Sequence, residues 1–188
     1  MGNLICNNSY AKKIIEHFQD RPDVVITTIV SNKPAAPVLE IARTAGISTL
    51  VIDKPTFENG ETYIEQLKAA GVDLIVLAGF LWKVPPAFIR HWPGKILNIH
   101  PALLPAHGGK GMYGDKVHEA VLAAGDKESG ISIHLVDELY DHGAVIFQAR
   151  CPVDASDSPQ TLAQKIHVLE HTHFPPVIDD FIKKQKGS

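Results

Sequence analysis

Cysteine is scarce: Cys6 and Cys151 are the only two in 188 residues, far apart and outside any C-x-x-C spacing. That excludes a disulfide framework and a thiolate zinc site, and a reducing compartment is the simpler reading. Long apolar runs are missing as well. No stretch of about twenty apolar residues exists, and Met1 to Tyr10 has no basic segment leading into an apolar run, so neither a membrane partner nor a signal peptide is expected. The expected location is cytoplasmic. Excess positive charge is also lacking, with 18 Lys and Arg against 21 Asp and Glu, a net charge of -3. The chain as a whole therefore has no attraction for nucleic acid, and any phosphate site must be local. Repeats, low-complexity tracts and linkers are absent too. With 45% hydrophobic and 21% charged residues, one domain over 1–188 is expected, burying roughly two thirds of its unfolded surface.

Apolar runs rich in β-branched residues are present, and they alternate with amphipathic segments. Val24 to Val30, Thr49 to Ile52, Leu74 to Ala78 and Ile96 to Ile99 read as buried strands. Between them, Ala11 to Phe18 puts Ile14, Ile15 and Phe18 on one helical face, and Ala35 to Ala45 does so with Val38, Leu39 and Ala42 before Gly46 stops it. Glu58 to Ala70 closes in the same way at Gly71. Such alternation predicts an α/β fold, a mainly parallel sheet with helices on both faces. After residue 125 the pattern changes. Ile131 to Val136 and Ala144 to Val153, joined by Asp137 to Gly143, predict an antiparallel C-terminal strand pair. Ser158 or Asp157 then caps a long helix with Pro159 in its first turn and Leu162, Ile166 and Leu169 inside. Pro175 and Pro176 are expected to break or kink it before Val177 to Ile182.

Strand Ile96 to Ile99 runs into His100 and Pro101, so Asn98 and His100 share one face of a strand end. Carboxyl ends of strands are where open α/β sheets bind ligands. An amide that donates a hydrogen bond and an imidazole that serves as acid or cation make a usable pair there. By spacing alone, a simple polar cap on the strand is the equal alternative.

The run KILNIHPALLPAHGGKGMYG, with ISIHLVDELYDHGAVIFQARCPV after it, resembles the glycinamide ribonucleotide formyltransferase family, which performs the first folate-dependent step of purine synthesis. The element N-I-H-P-x-L-L-P is shared with other 10-formyltetrahydrofolate enzymes. The resemblance extends from Ser31 to Lys33, through DLIVLAGF at Asp73 to Phe80, to the C-terminal helix, about residues 24 to 182 in all. It implies a three-layer Rossmann-like formyltransferase fold and a catalytic trio of Asn98, His100 and Asp141. It implies folate contacts from Phe80, Leu81, Trp82, Val84, Ile89, Asn98, Asp137 and Asp141. Asn8, Ser9, Tyr10, His167 and Glu170 fall where the family binds the ribonucleotide, and His118 and His134 near the site. The formyl donor is 10-formyltetrahydrofolate, with no metal. The implied activity is direct transfer of the formyl group to the amine of 5-phosphoribosylglycinamide through a tetrahedral intermediate. Hydrolysis of 10-formyltetrahydrofolate, or folate binding without ribonucleotide transfer, is the alternative. Partners are small molecules, and the protein is expected to be a monomer or homodimer.

The chemistry asks for an oxyanion donor, a cation and a proton acceptor. Asn98 offers the first, His100 the second if a nearby carboxylate holds it protonated, and Asp141 the carboxylate. Two segments depart from the expected pattern. Leu4 to Cys6 is short for the family's first strand, and Asn7, Asn8, Ser9 and Tyr10 stand where it has a glycine and serine phosphate loop. Gly108 to Gly114 is long and rich in glycine, either a mobile cover or a plain turn, and its spacing is not that of a P-loop. His167 and His171, one helical turn apart, lack a convincing third ligand for a metal.

Overall fold

β-branched runs supply the strands, buried in the middle of the sheet and exposed at the end strand Ser48–Val51. The computed structural model describes residues 3–6 and 8–187, with side chains from Tyr10 to Gly187. The chain divides into two compact units, one up to Asn98 and one from Ile99.

The first unit contains β1 (Asn3–Cys6), β2 (Thr28–Ser31), β3 (Ser48–Val51), β4 (Ile75–Ala78) and most of β5 (Ile96–His100). Their order is β3-β2-β1-β4-β5, every neighbouring pair parallel. The order reverses between β1 and β4, where Cys6 pairs with Ala78, the kind of switch point that opens a crevice at strand carboxyl ends. All four residues of β2 and of β4 are buried. Each buried Ile, Val or Leu side chain contributes about 1.5–3 kcal/mol, so these strands anchor the unit. β3 departs from the expected buried strand: as the end strand of the order it leaves Ser48, Thr49 and Val51 exposed, and only Ile52 beyond it is buried.

Helices α1 (Asn8–Phe18), α2 (Pro37–Thr44), α3 (Lys54–Asn59), α4 (Glu61–Ala69) and α5 (Pro86–His91) complete this unit. The expected helix over Glu58 to Ala70 is two helices, because Gly60 takes φ 88° between them. Asn8, Ser9 and Tyr10 form the first turn of α1 and not a loop. Asn7 and the side chains of Asn8 and Ser9 lie outside the described residues, while Tyr10 is buried.

The second unit holds α6 (Asp115–Ala124), β6 (Glu128–Leu135), β7 (Val145–Pro152) and α7 (Pro159–Lys186). β6 and β7 form the antiparallel pair, with an irregularity between Ile133 and His134. Ser158 caps α7: its hydroxyl accepts from the Thr161 N–H and its own N–H donates to Thr161 Oγ1. Of the break or kink expected at Pro175 and Pro176, the break does not occur, for α7 runs on to Lys186. An interior proline costs about 3 kcal/mol. Burying Phe174, Ile178 and Ile182 around the pair returns more than that. The inner stripe of α7 is Leu162, Ile166 and Glu170, spaced by four, and Leu169 sits at its margin. A carboxylate on the buried stripe of an otherwise apolar face marks a place where something polar must be met.

Candidate active site

Local sequence sets the frame of the site. The end of β5 delivers His100 into the loop Pro101 to Ala106, and Ser132 on β6 pins that loop. Ser132 Oγ donates to the Ala102 carbonyl (2.7 Å) and accepts from the Leu104 N–H (2.9 Å) and from Gln148 Nε2 (2.8 Å). Gln148 on β7 also donates to the Leu104 carbonyl at 3.0 Å. Neither Ser132 nor Gln148 is evident from the sequence, because the serine hydroxyl becomes informative only once strand pairing brings it under the loop. Asn98 stands two residues before His100 on β5, half-buried, so the two project from the same face of the strand.

His100 is only 3% exposed. Its Nε2 lies 2.8 Å from the His107 carbonyl, which can only accept, so Nε2 carries the hydrogen. Its Nδ1 faces Asp141 Oδ2 at 3.6 Å. His134 repeats the arrangement from the other side: Nδ1 donates to the Leu135 carbonyl (2.8 Å) and Nε2 faces Asp141 Oδ1 at 3.5 Å. The irregularity in the β6–β7 pairing next to His134 is the kind of distortion that re-aims a side chain. Asp141 has φ 54° and accepts from the Gly109 N–H through Oδ2 at 2.9 Å. A carboxylate thus stands between two imidazoles, each with its far nitrogen tied to a carbonyl and its near nitrogen turned inward.

The near nitrogens of both rings converge on the Asp141 carboxylate at 3.6 and 3.5 Å, which makes a receptive place for a proton. Burial pushes the His100 imidazole down, and the Asp141 charge and the His107 carbonyl only partly restore it. The Asp141 carboxylate favours the protonated ring, and desolvation opposes it and is larger. Burial drives the Asp141 carboxyl up, yet the His134 hydrogen bond, the His100 charge and the Gly109 amide together carry it below the usual range. The contacts of Asp141 favour its ionised form, and burial disfavours a charge on His100.

The remaining candidates separate by unit. In the first, Phe80 and Trp82 are half-buried and pack on each other (5.8 Å between centroids) and on Phe57 (5.3 and 5.8 Å). Val84 is buried, Ile89 half-buried, and Leu81 is 57% exposed. In the second, Asp137 braces its own turn, accepting from the Leu139 N–H (2.8 Å) with His142 Nδ1 at 3.3 Å. Glu170 is 2% exposed, with His167 Nε2 4.0 Å away on the exposed face of α7. His118 is buried on α6, and its Nδ1 has no hydrogen-bond partner among the described residues. Burial, and then the charge of His167, push its imidazole down. Among the described residues no group of three or more His, Cys, Asp or Glu is arranged to hold a metal.

These shifts have a measurable consequence. His100 and His118 are held below the ordinary 6.5, so on acidification the unfolded chain takes up protons before the folded one can. Stability is complete above that value and declines below it. The melting temperature should fall as the pH is lowered from about 7 to about 5, and fall less in His118→Gln, which cannot take up that proton. Identical slopes in the two proteins would remove His118 from this account.

Comparison with known proteins bears on the same residues. The family described as "Formyl transferase" matches residues 4–178. The chain is 42% identical over 161 residues to a chloroplastic phosphoribosylglycinamide formyltransferase of Arabidopsis thaliana, covering 83% of this chain and 54% of that protein. It is 39% identical over 160 residues to the phosphoribosylglycinamide formyltransferase of Escherichia coli, covering 83% and 73%. It also matches 11% of the trifunctional purine biosynthetic protein adenosine-3 of Drosophila melanogaster, at 45% identity over 81% of this chain. The chain thus spans about half, or much less, of the length of some curated relatives. Among solved structures, phosphoribosylglycinamide formyltransferase from Bacillus halodurans superposes with TM-score 0.86 at 29% identity, covering 97% of this chain and 96% of the other. The enzyme of the same name from Anaplasma phagocytophilum gives 0.83 at 34%, covering 94% and 83%.

Proposed function

Because the chain belongs to the formyl transferase family, matched over residues 4–178, we propose that it transfers the formyl group of 10-formyltetrahydrofolate to the amine of 5-phosphoribosylglycinamide, a step of purine biosynthesis. The observation that carries the proposal is Asp141 between His100 Nδ1 and His134 Nε2. Attack of the amine on the formyl carbon turns the formyl oxygen negative, and the amine must shed a proton that the departing folate nitrogen must gain. In this reading the Asn98 amide donates to the oxygen. The Asp141 cluster accepts the amine proton and returns one to the folate nitrogen, so the proton count closes on product. His100 exchanges through Nδ1, since Nε2 is occupied by a carbonyl.

The donor would be held by the apolar exit of β4, with Phe80, Leu81, Trp82, Val84 and Ile89, and by Asn98, Asp137 and Asp141. A flat heterocycle suits half-buried aromatic walls with backbone donors and acceptors at their rim. Glu170, buried and acidic, suits ribose hydroxyls, and His167 and the first turn of α1 at Asn8, Ser9 and Tyr10 suit the phosphate. The proposal includes one formyltransferase domain over 1–188, small-molecule partners without nucleic acid or membrane, a cytoplasmic location and a monomer or homodimer. No helix among the described residues is long and apolar enough to cross a membrane.

The test follows tetrahydrofolate release from 10-formyltetrahydrofolate with and without 5-phosphoribosylglycinamide. Release that depends on the ribonucleotide is expected. Equal release without it would replace the proposal with a hydrolase, and tight folate binding without turnover would replace it with a binding protein.

A further inference from the structure

The turn from His107 to Gly109 reaches two of the proposed acid–base residues through its backbone alone. The His107 carbonyl accepts from His100 Nε2 at 2.8 Å, and the Gly109 N–H donates to Asp141 Oδ2 at 2.9 Å. Such a turn must be held still, yet its backbone is not one that relaxes into place by itself. His107 has φ 53°, a sparsely populated conformation for a residue with a Cβ, and Gly109 and Gly111 follow at φ 98° and 93°. What holds the turn is the His107 side chain, whose Nε2 lies 2.6 Å from Asp126 Oδ2. Asp126 in turn follows Gly125, the left-handed residue that closes α6, and its own N–H reaches the Val121 carbonyl at 3.4 Å. On the opposite side the packing leaves no slack. A Cβ at Gly108 would lie 2.5 Å from Leu104 Cδ2 and 3.3 Å from Asp141 Cβ.

We propose that Asp126 and His107 are positioning residues, a brace from the end of α6 that keeps the His107 carbonyl on His100 Nε2 and thereby selects the ring tautomer whose Nδ1 faces Asp141. Neither residue needs to touch a substrate. A tether between a loop and a helix would otherwise affect only stability, and a little at that. The brace is distinguished by what it does to the imidazole: with the carbonyl withdrawn, the neutral ring is free to move its hydrogen to Nδ1, where it points at Asp141 and closes the proton path. The kinetic consequence rests on the proposed function, whereas the tautomer does not.

The test combines nitrogen NMR of the ligand-free protein, labelled in histidine, with steady-state kinetics of Asp126→Ala, Asp126→Asn and His107→Asn. The His100 ring should be an Nε2–H tautomer in the parent and a mixture in Asp126→Ala. The kcat of Asp126→Ala should fall on the order of tenfold to a hundredfold, as expected for a small misplacement of an acting group, with both KM values nearly unchanged. Asp126→Asn, whose amide oxygen still accepts from His107 Nε2, should restore the parent tautomer and most of kcat. His107→Asn tolerates the left-handed backbone but is too short to reach Asp126, and gives the same reading if Asp126→Ala does not fold. Retention of the Nε2–H tautomer in both Asp126→Ala and His107→Asn would overturn the proposal. A parent protein without ribonucleotide-dependent turnover would overturn the proposed function and leave the tautomer result to decide the brace.

Discussion

Asp141→Asn is expected to lower kcat by about a hundredfold or more, the scale on which single electrostatic groups act in such sites, with little change in thermal stability. Asparagine has the same shape and accepts φ 54° more readily than most residues. Its amide oxygen can keep the Gly109 hydrogen bond. What it loses is the charge and one acceptor. An NH2 group would donate to the imidazole nitrogen of His100 or His134 and occupy the place where the amine proton is to arrive. Without the carboxylate, His100 also loses the main influence that opposes burial, so its imidazole moves further down. Steady-state rates at saturating concentrations of both substrates decide the matter. A kcat within about threefold of the parent would take Asp141 out of the proton path.

The second large effect is structural, and its cause is a single missing side chain. At Gly143, on the far side of the loop that carries Asp141, an added Cβ would lie 1.9 Å from the Leu135 carbonyl oxygen and 2.8 Å from its carbon. Those are backbone atoms of the strand pair, held by the Leu135 N–H bond to the Ala144 carbonyl at 2.9 Å, so no side chain can swing away. Gly143→Ala must open the base of the hairpin, at a cost of about 3 kcal/mol or more. For a chain of this length that corresponds to a melting temperature lower by about 6–12 °C. Gly111→Ala is the contrast, because nothing lies within 4 Å of its Cβ and only the φ of 93° opposes it, at about 1 kcal/mol. Equal melting temperatures for the two variants would show that the hairpin base is not closed as described. The two positions also differ in consequence: opening the hairpin shifts His134 and Asp141 together, and turnover should fall with stability in Gly143→Ala only.

Much of the fold was legible because period and punctuation are local properties. The buried run of β4, the helix stop after α2 and the antiparallel pair after residue 125 follow from patterns within a dozen residues, and β2 only in part, since the run expected from Val24 is strand only from Thr28 and leaves Val25 exposed. The misreadings share a cause that no window contains. β3 has the composition of a buried strand but is the end strand of its order, and order is a property of the whole sheet. Pro175 and Pro176 carry a breaking signal that is outweighed by what Phe174, Ile178 and Ile182 bury. Within the site, Asn98 and His100 could be placed on one strand face by alternation, and Asp141 by resemblance.

The sequence by itself determined the residue types at the centre, the strand that presents Asn98 and His100, and the family to which the chain belongs, since all of these are written in contiguous residues. Only the tertiary structure decided which groups surround the central residues and in which direction burial and charge act on them. Burial is a sum over the surroundings, so the low imidazole of His100 could not be read from its neighbours in the chain. His134 facing Asp141, Ser132 and Gln148 under the loop, and Asp126 on His107 are contacts across 7, 28, 44 and 19 residues of chain. Their meaning arises from distance in space, which the pairing of β6 with β7 and the closing turn of α6 supply.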